Sequence, residues 1–129
     1  MKKIGFITTN RMLGQSLSSA IRTRQDLQFE PFVLHNSQQA ILDIEVLKID
    51  IAIIDVLEAV SEERTKTLLT FCKKIKDTSP TCKVLLFLSQ DDAVAKTMAV
   101  EAVHTGVVSD FVFYDASLEY FFAKISAFL

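Results

Sequence analysis

The segment Ile49-Asp50-Ile51-Ala52-Ile53-Ile54-Asp55 is an apolar run that stops on an acid. A continuous stretch rich in β-branched residues predicts a strand buried on both faces, and such a strand belongs in the middle of a sheet covered by helices. The carboxylate at its end then lies on the rim of the sheet, where open α/β folds place their chemistry. An Asp there is a candidate phosphoryl acceptor or metal ligand, and equally a candidate cap for the following loop.

The rest of the chain alternates short apolar runs with longer amphipathic ones. Lys3 to Ile7 reads as a first strand. Thr8, Thr9 and Asn10 supply turn and N-cap chemistry for a helix whose inner face is Leu13, Leu17, Ala20 and Ile21. Phe29 to Leu34 reads as a second strand, at an edge because Pro31 cannot donate to a ladder. Asn36 or Ser37 caps a helix to about Leu47 with Ala40, Ile41, Ile44 and Leu47 inward. The third strand runs from Ile49 to Ile54, and a helix from about Ser61 to Lys76 buries Leu68, Leu69, Cys72 and Ile75 before Thr78-Ser79-Pro80 ends it. Lys83 to Leu88 is a fourth strand. Asp91 and Asp92 open a helix to about Thr105, Gly106 ends it, Phe111 to Tyr114 is a fifth strand, and Ser117 caps a last helix to Leu129. Repeated alternation with central strands too apolar to have a wet face predicts a doubly wound α/β fold, a five-stranded parallel sheet with helices on both faces.

Composition narrows the function classes. The 129 residues fit one domain across 1–129, and an end at Ala127-Phe128-Leu129 is compatible with a domain cut from a longer protein. The net charge of −2, with basic residues dispersed, gives no footprint for direct nucleic-acid binding. No apolar run approaches the ~20 residues of a membrane span and Met1-Lys2-Lys3 does not open a signal peptide, so the expected location is cytoplasmic. Cys72 and Cys82 form neither a metal-ligand pair nor a disulfide scaffold and read as reduced core or near-core thiols. His35 after a strand and His104 near a helix end read as structural, so no Ser-His-Asp arrangement emerges and no enzyme is expected.

The order of elements, Asp55 ending the third strand, Ser89 ending the fourth and Ser117-Leu118-Glu119 opening the last helix together resemble the receiver domain of two-component response regulators, a flavodoxin-like fold. The resemblance spans the chain. It implies that Asp55 stands at the family's phospho-accepting aspartate and Ser89 at its phosphoryl-binding Thr or Ser. Three positions depart. Thr8-Thr9-Asn10 stands where receivers carry an acidic pair for Mg²⁺. Tyr114-Asp115 stands where they carry Lys and then Pro, or Phe113-Tyr114 does if the loop after Gly106 aligns without an insertion. Glu58 stands where they often have Pro and could lend a carboxylate to the site.

Hydroxyls and an amide around one Asp make a weak site for a hard divalent cation, so neither Mg²⁺ nor another cofactor is expected. Phosphoryl transfer relies on metal and cationic side chains for charge neutralisation, and this pattern implies a degenerate, or pseudo-receiver, domain that signals by binding. The alternative is an atypical phospho-acceptor at Asp55, contacted through Thr8, Thr9 and Ser89 and served by a histidine kinase. A minor alternative has the Thr8-to-Arg11 turn cradle the phosphate of a nucleotide or flavin, although the usual glycine is missing from it. The last helix carries more apolar residues than one face needs, and the fourth is poor in charge. The face made by the fourth helix, fifth strand and fifth helix, with Met98, Tyr120 and Phe121, is therefore the expected surface for a protein partner or homodimer. Leu118, Phe121, Phe122 and Ile125 are expected inward on the last helix and Tyr120 outward.

Overall fold

A computed structural model describes residues 1–24, 26–34, 37–56 and 62–128. Five strands alternate with five helices: β1 Lys2–Ile7, α1 Arg11–Thr23, β2 Phe29–Leu34, α2 Ser37–Leu47, β3 Ile51–Asp55, α3 Glu62–Thr78, β4 Lys83–Leu88, α4 Ala93–His104, β5 Asp110–Phe113 and α5 Leu118–Ser126. The strands form one parallel sheet in the order β2-β1-β3-β4-β5, which puts Pro31 on an edge strand as its missing N–H requires.

The central strands serve two cores because successive side chains point to opposite faces. Ile51 and Ile53 of β3 join Ile4, Phe6, Leu85 and Phe87 beneath Leu17 and Ile21 of α1 and Phe121, Phe122 and Ile125 of α5. Ala52 and Ile54 join Leu86 and Leu88 beneath Ala40 and Ile44 of α2, Cys72 and Ile75 of α3, and Ala95, Met98 and Ala102 of α4. Each fully buried Ile or Leu contributes about 1.5–3 kcal/mol, so this two-sided burial dominates the stability of the fold.

Helix ends follow local chemistry. Asn10, Asp92 and Ser117 cap α1, α4 and α5 by accepting from the backbone N–H groups of Leu13, Ala95 and Tyr120. Gly106 takes φ +78° after α4, a conformation that disfavours a side chain. Gly14 has a packing reason: a Cβ there would lie 2.9 Å from Val33 Cγ1 and 3.2 Å from Thr8 Cγ2, so glycine lets α1 press against β2 and the start of the site.

Some expected boundaries move by a residue or two. β3 begins at Ile51 and includes Asp55, and β5 ends at Phe113, leaving Tyr114 as the first residue beyond it. His35, Asn36, Glu58, Ser61 and Leu129 lie outside the described residues. Leu118 is 51% exposed, against the expectation that it faces inward, because it opens α5 at the rim of the sheet, where the strands end. Met98 is corrected in the opposite sense: it is buried and belongs to the core rather than the outer face. Phe121 is buried, as expected of the inward side of the last helix, and so does not contribute to the partner face on which it was also placed. Met98 is the long flexible side chain on an otherwise alanine stripe of α4 and fills the gap those alanines leave. Phe121 packs between Phe87 and Phe122, with ring centroids 5.9 Å from each.

Candidate functional site

From β1 the chain crosses to β2 on one side and then returns to β3 on the other, so the sheet order reverses between β1 and β3. The carboxyl ends of two such strands border the crevice in which open α/β sheets hold their ligands. Ile7 pairs with Ile54, which makes Thr8 and Asp55 the first residues at the mouth of that crevice.

Asp55 is partly buried and its two oxygens are already engaged. The Thr8 hydroxyl donates to Oδ2 at 2.7 Å while accepting from the Asn10 N–H at 3.0 Å. The Tyr114 hydroxyl donates to Oδ1 and lies 3.1 Å from the Val56 carbonyl, two acceptors sharing a single phenolic proton. Tyr114 reaches this position because its N–H continues the ladder to Leu88 O at 2.9 Å and its ring stacks on Phe87 at 4.8 Å. Burial holds the Asp55 carboxyl above the ordinary aspartate range, with the Thr8 hydrogen bond pulling the other way.

Among the described residues the other candidates do not hydrogen-bond Asp55. Thr9 is exposed. Ser89 turns its hydroxyl to the Asp91 N–H at 3.2 Å and shapes the turn into α4. In the Thr8-to-Arg11 turn, Thr8 is spent on Asp55 and Asn10 on the helix cap, while Thr9 and Arg11 are exposed. The cavity between Asp55 and α1 is about 10 Å³, walled mainly by Phe6, Leu13, Leu17, Ile53 and Phe87, room for about one water. Among the described residues no group of three or more His, Cys, Asp or Glu could hold a metal ion. Burial pushes the Cys72 thiol up to about 12 and that of Cys82 to about 11, so both stay neutral and unreactive near pH 7. His104 is exposed in the last turn of α4.

Sequence reasoning brought Asp55, Thr8 and Tyr114 to one rim but missed the phenol–carboxylate contact, which depends on where β5 ends. It also missed the ion pair of Lys124 with Asp110, 2.6 Å apart, beside β5. The signal for the pair was weak, an acid opening a strand and a lysine fourteen residues on.

Chemically, the rim offers a carboxylate held by two neutral hydroxyl donors. Among the described residues no cation contacts it, because the residue beyond β5 is Tyr114.

No protein-family model matches the chain, and no curated protein sequence does either. Solved structures do. A two-component response regulator from Clostridium difficile superposes with TM-score 0.75 at 20% identity over 99% of this chain and 95% of that one. The beryllofluoride-activated NtrC4 receiver domain dimer gives TM-score 0.76 at 20% identity, over 99% and 96%. A structure described as adenylate cyclase from Rhodopirellula baltica gives TM-score 0.77 at 20% identity, over 98% and 86%. Identity this low transmits architecture and leaves activity open. The element order, the sheet order and these superpositions agree, and the chain has the fold of response regulator receiver domains.

Proposed function

We propose that this domain is a signal-transduction module of the receiver type that works through protein contacts, with Asp55 kept as a structural hydrogen-bond acceptor and without regulated Mg²⁺-dependent phosphorylation. The observation that carries the reading is the pair of hydroxyls on Asp55, from Thr8 and Tyr114. Mg²⁺ favours carboxylates in octahedral array, and the turn after β1 provides Thr8, Thr9 and Asn10, with the Thr8 hydroxyl already committed. A phosphoryl group on Asp55 would meet the neutral phenol of Tyr114 where charge neutralisation needs a cation.

The face of α4, β5 and α5 supports the binding half of the reading. Tyr120 is 50% exposed there, and Val94, Val100 and Leu118 are exposed on the same two helices. The NtrC4 receiver domain forms a dimer, which lends analogy to a protein contact of this fold. No helix among the described residues is long and apolar enough to cross a membrane.

The test is incubation with acetyl phosphate and Mg²⁺ followed by intact-mass measurement. Wild type should remain unmodified. A phosphoryl adduct that disappears in Asp55→Ala would replace this reading with an active phospho-acceptor.

A further inference from the structure

We propose that the Tyr114 hydroxyl is a latch: it ties the connection between β5 and α5 to the Asp55 carboxylate, so that this side chain keeps the start of α5 closed against the sheet with no phosphoryl group present. The inference rests on the reading of Asp55 as a structural acceptor and assigns that acceptor its task.

Tyr114 opens the connection, which runs over residues 114–117. Its main chain reaches one strand away and its side chain reaches two. The N–H donates to Leu88 O of β4 at 2.9 Å, while the hydroxyl crosses β4 to the end of β3, where it donates to Asp55 Oδ1 and lies 3.1 Å from Val56 O. Two further bonds of the connection are local: the Ala116 N–H donates back to Phe113 O and the Ser117 hydroxyl accepts the Tyr120 N–H, both at 3.1 Å. They shape the turn without anchoring it to β3. The phenol does that.

The tie reaches α5 through stacked rings. Tyr114 lies on Phe87 with ring centres 4.8 Å apart, and Phe87 lies 5.9 Å from Phe121. Phe121 is buried, and its helical neighbours Leu118 and Tyr120 are about half exposed, so the packing that seats Phe121 also seats the outward residues of this helix. The strength of the bond suits a latch. Tyr114 is itself 36% exposed, so water competes for its hydroxyl, and a hydrogen bond of that kind biases a local opening several-fold without making the connection immobile. The ring stack would survive in a phenylalanine; the bond to β3 would not.

The experiment is amide hydrogen exchange read by NMR on wild type, Tyr114→Phe, Asp55→Ala and the double variant. Each single variant should raise exchange at Ala116, Tyr120 and Phe121 by about fivefold while leaving the amides of Phe6 and Ile53 in the central strands at their wild-type rates. The double variant should exchange no faster than the singles, because both remove the same bond. Unchanged rates in Tyr114→Phe, a rise shared equally by Phe6 and Ile53, or effects that multiply in the double variant would each overturn the latch. These rates are measured on unmodified protein and the acetyl phosphate experiment reads mass, so the latch can fail while the binding reading stands, and a phosphoryl adduct can replace that reading whatever the rates show.

Discussion

Strand β3 is bracketed by two aspartates, and the two ends use the same side chain differently. At the foot of the sheet, the Asp50 carboxylate accepts the Lys3 N–H at 2.8 Å, its own N–H donates to Lys3 O and its carbonyl accepts the Lys83 N–H, both at 2.9 Å. Its partners are main chain, which any sequence provides. At the rim, Asp55 is held by the side chains of Thr8 and Tyr114, which come from the ends of two other strands and can be exchanged without moving the backbone. The foot is therefore architecture, and the rim is where substitution changes chemistry.

The sharpest test of that contrast is to rebuild the rim. Thr8→Asp, Thr9→Asp and Tyr114→Lys together place two carboxylates and a cation around Asp55, the charge set that phosphoryl transfer requires. With acetyl phosphate and Mg²⁺, the triple variant should acquire a phosphoryl group that the wild type does not, seen by intact mass and lost again when Asp55→Ala is added. A folded triple variant that stays unmodified would mean that the rim backbone, and not only its side chains, has departed from a phosphorylatable geometry.

Removing each acid in turn gives a smaller, thermodynamic contrast. Asp50→Ala deletes a carboxylate bonded to a main-chain N–H and leaves that donor orphaned, which should cost about 1.5–3 kcal/mol. Asp55→Ala removes two hydrogen bonds from hydroxyls but also a partly buried charge, and should change stability by less than about 1 kcal/mol. Urea unfolding of the two variants side by side measures the difference. Equal losses would make Asp55 as architectural as Asp50.

Where the sequence was decisive, one periodicity held over a whole element. The unbroken run in β3 predicted burial on two faces, and its side chains do enter both cores. Asp55 and Thr8 were legible because each directly follows such a run. Tyr114 was legible only as a substitution: its contact with Asp55 turns on a one-residue choice of where a four-residue strand ends, a choice fixed by the Tyr114 N–H bond to Leu88 O. Met98 was misplaced, and Phe121 was assigned to the partner face as well as to the inward side it takes, because apolar residues on a helix after a sheet can face in or out, and the shape of the neighbouring stripe decides. Local pattern carries neither the alanine gap that Met98 fills nor the aromatic cluster around Phe121.

The smallest expected effect concerns protons at the rim. Burial raises the Asp55 pKa in the folded protein, so over the window between the ordinary aspartate value of 3.8 and the raised one the native state binds more protons than the unfolded chain. Stability then declines as pH rises through that window, and the contribution of this group is fully present only below the ordinary value. Asp55→Asn keeps the shape of the side chain and removes the titration. The stability of wild type minus that of Asp55→Asn should therefore fall from the acid side of the window to the neutral side and level off above it, measured by urea midpoints at a series of pH values. A difference that instead grows toward neutral pH would mean that the Thr8 and Tyr114 hydroxyls favour the ionised carboxylate more than burial opposes it. Asp55 would then be a buttressed anion, held ready for a cation, and the rim would have kept more of a receiver's chemistry than its residues suggest.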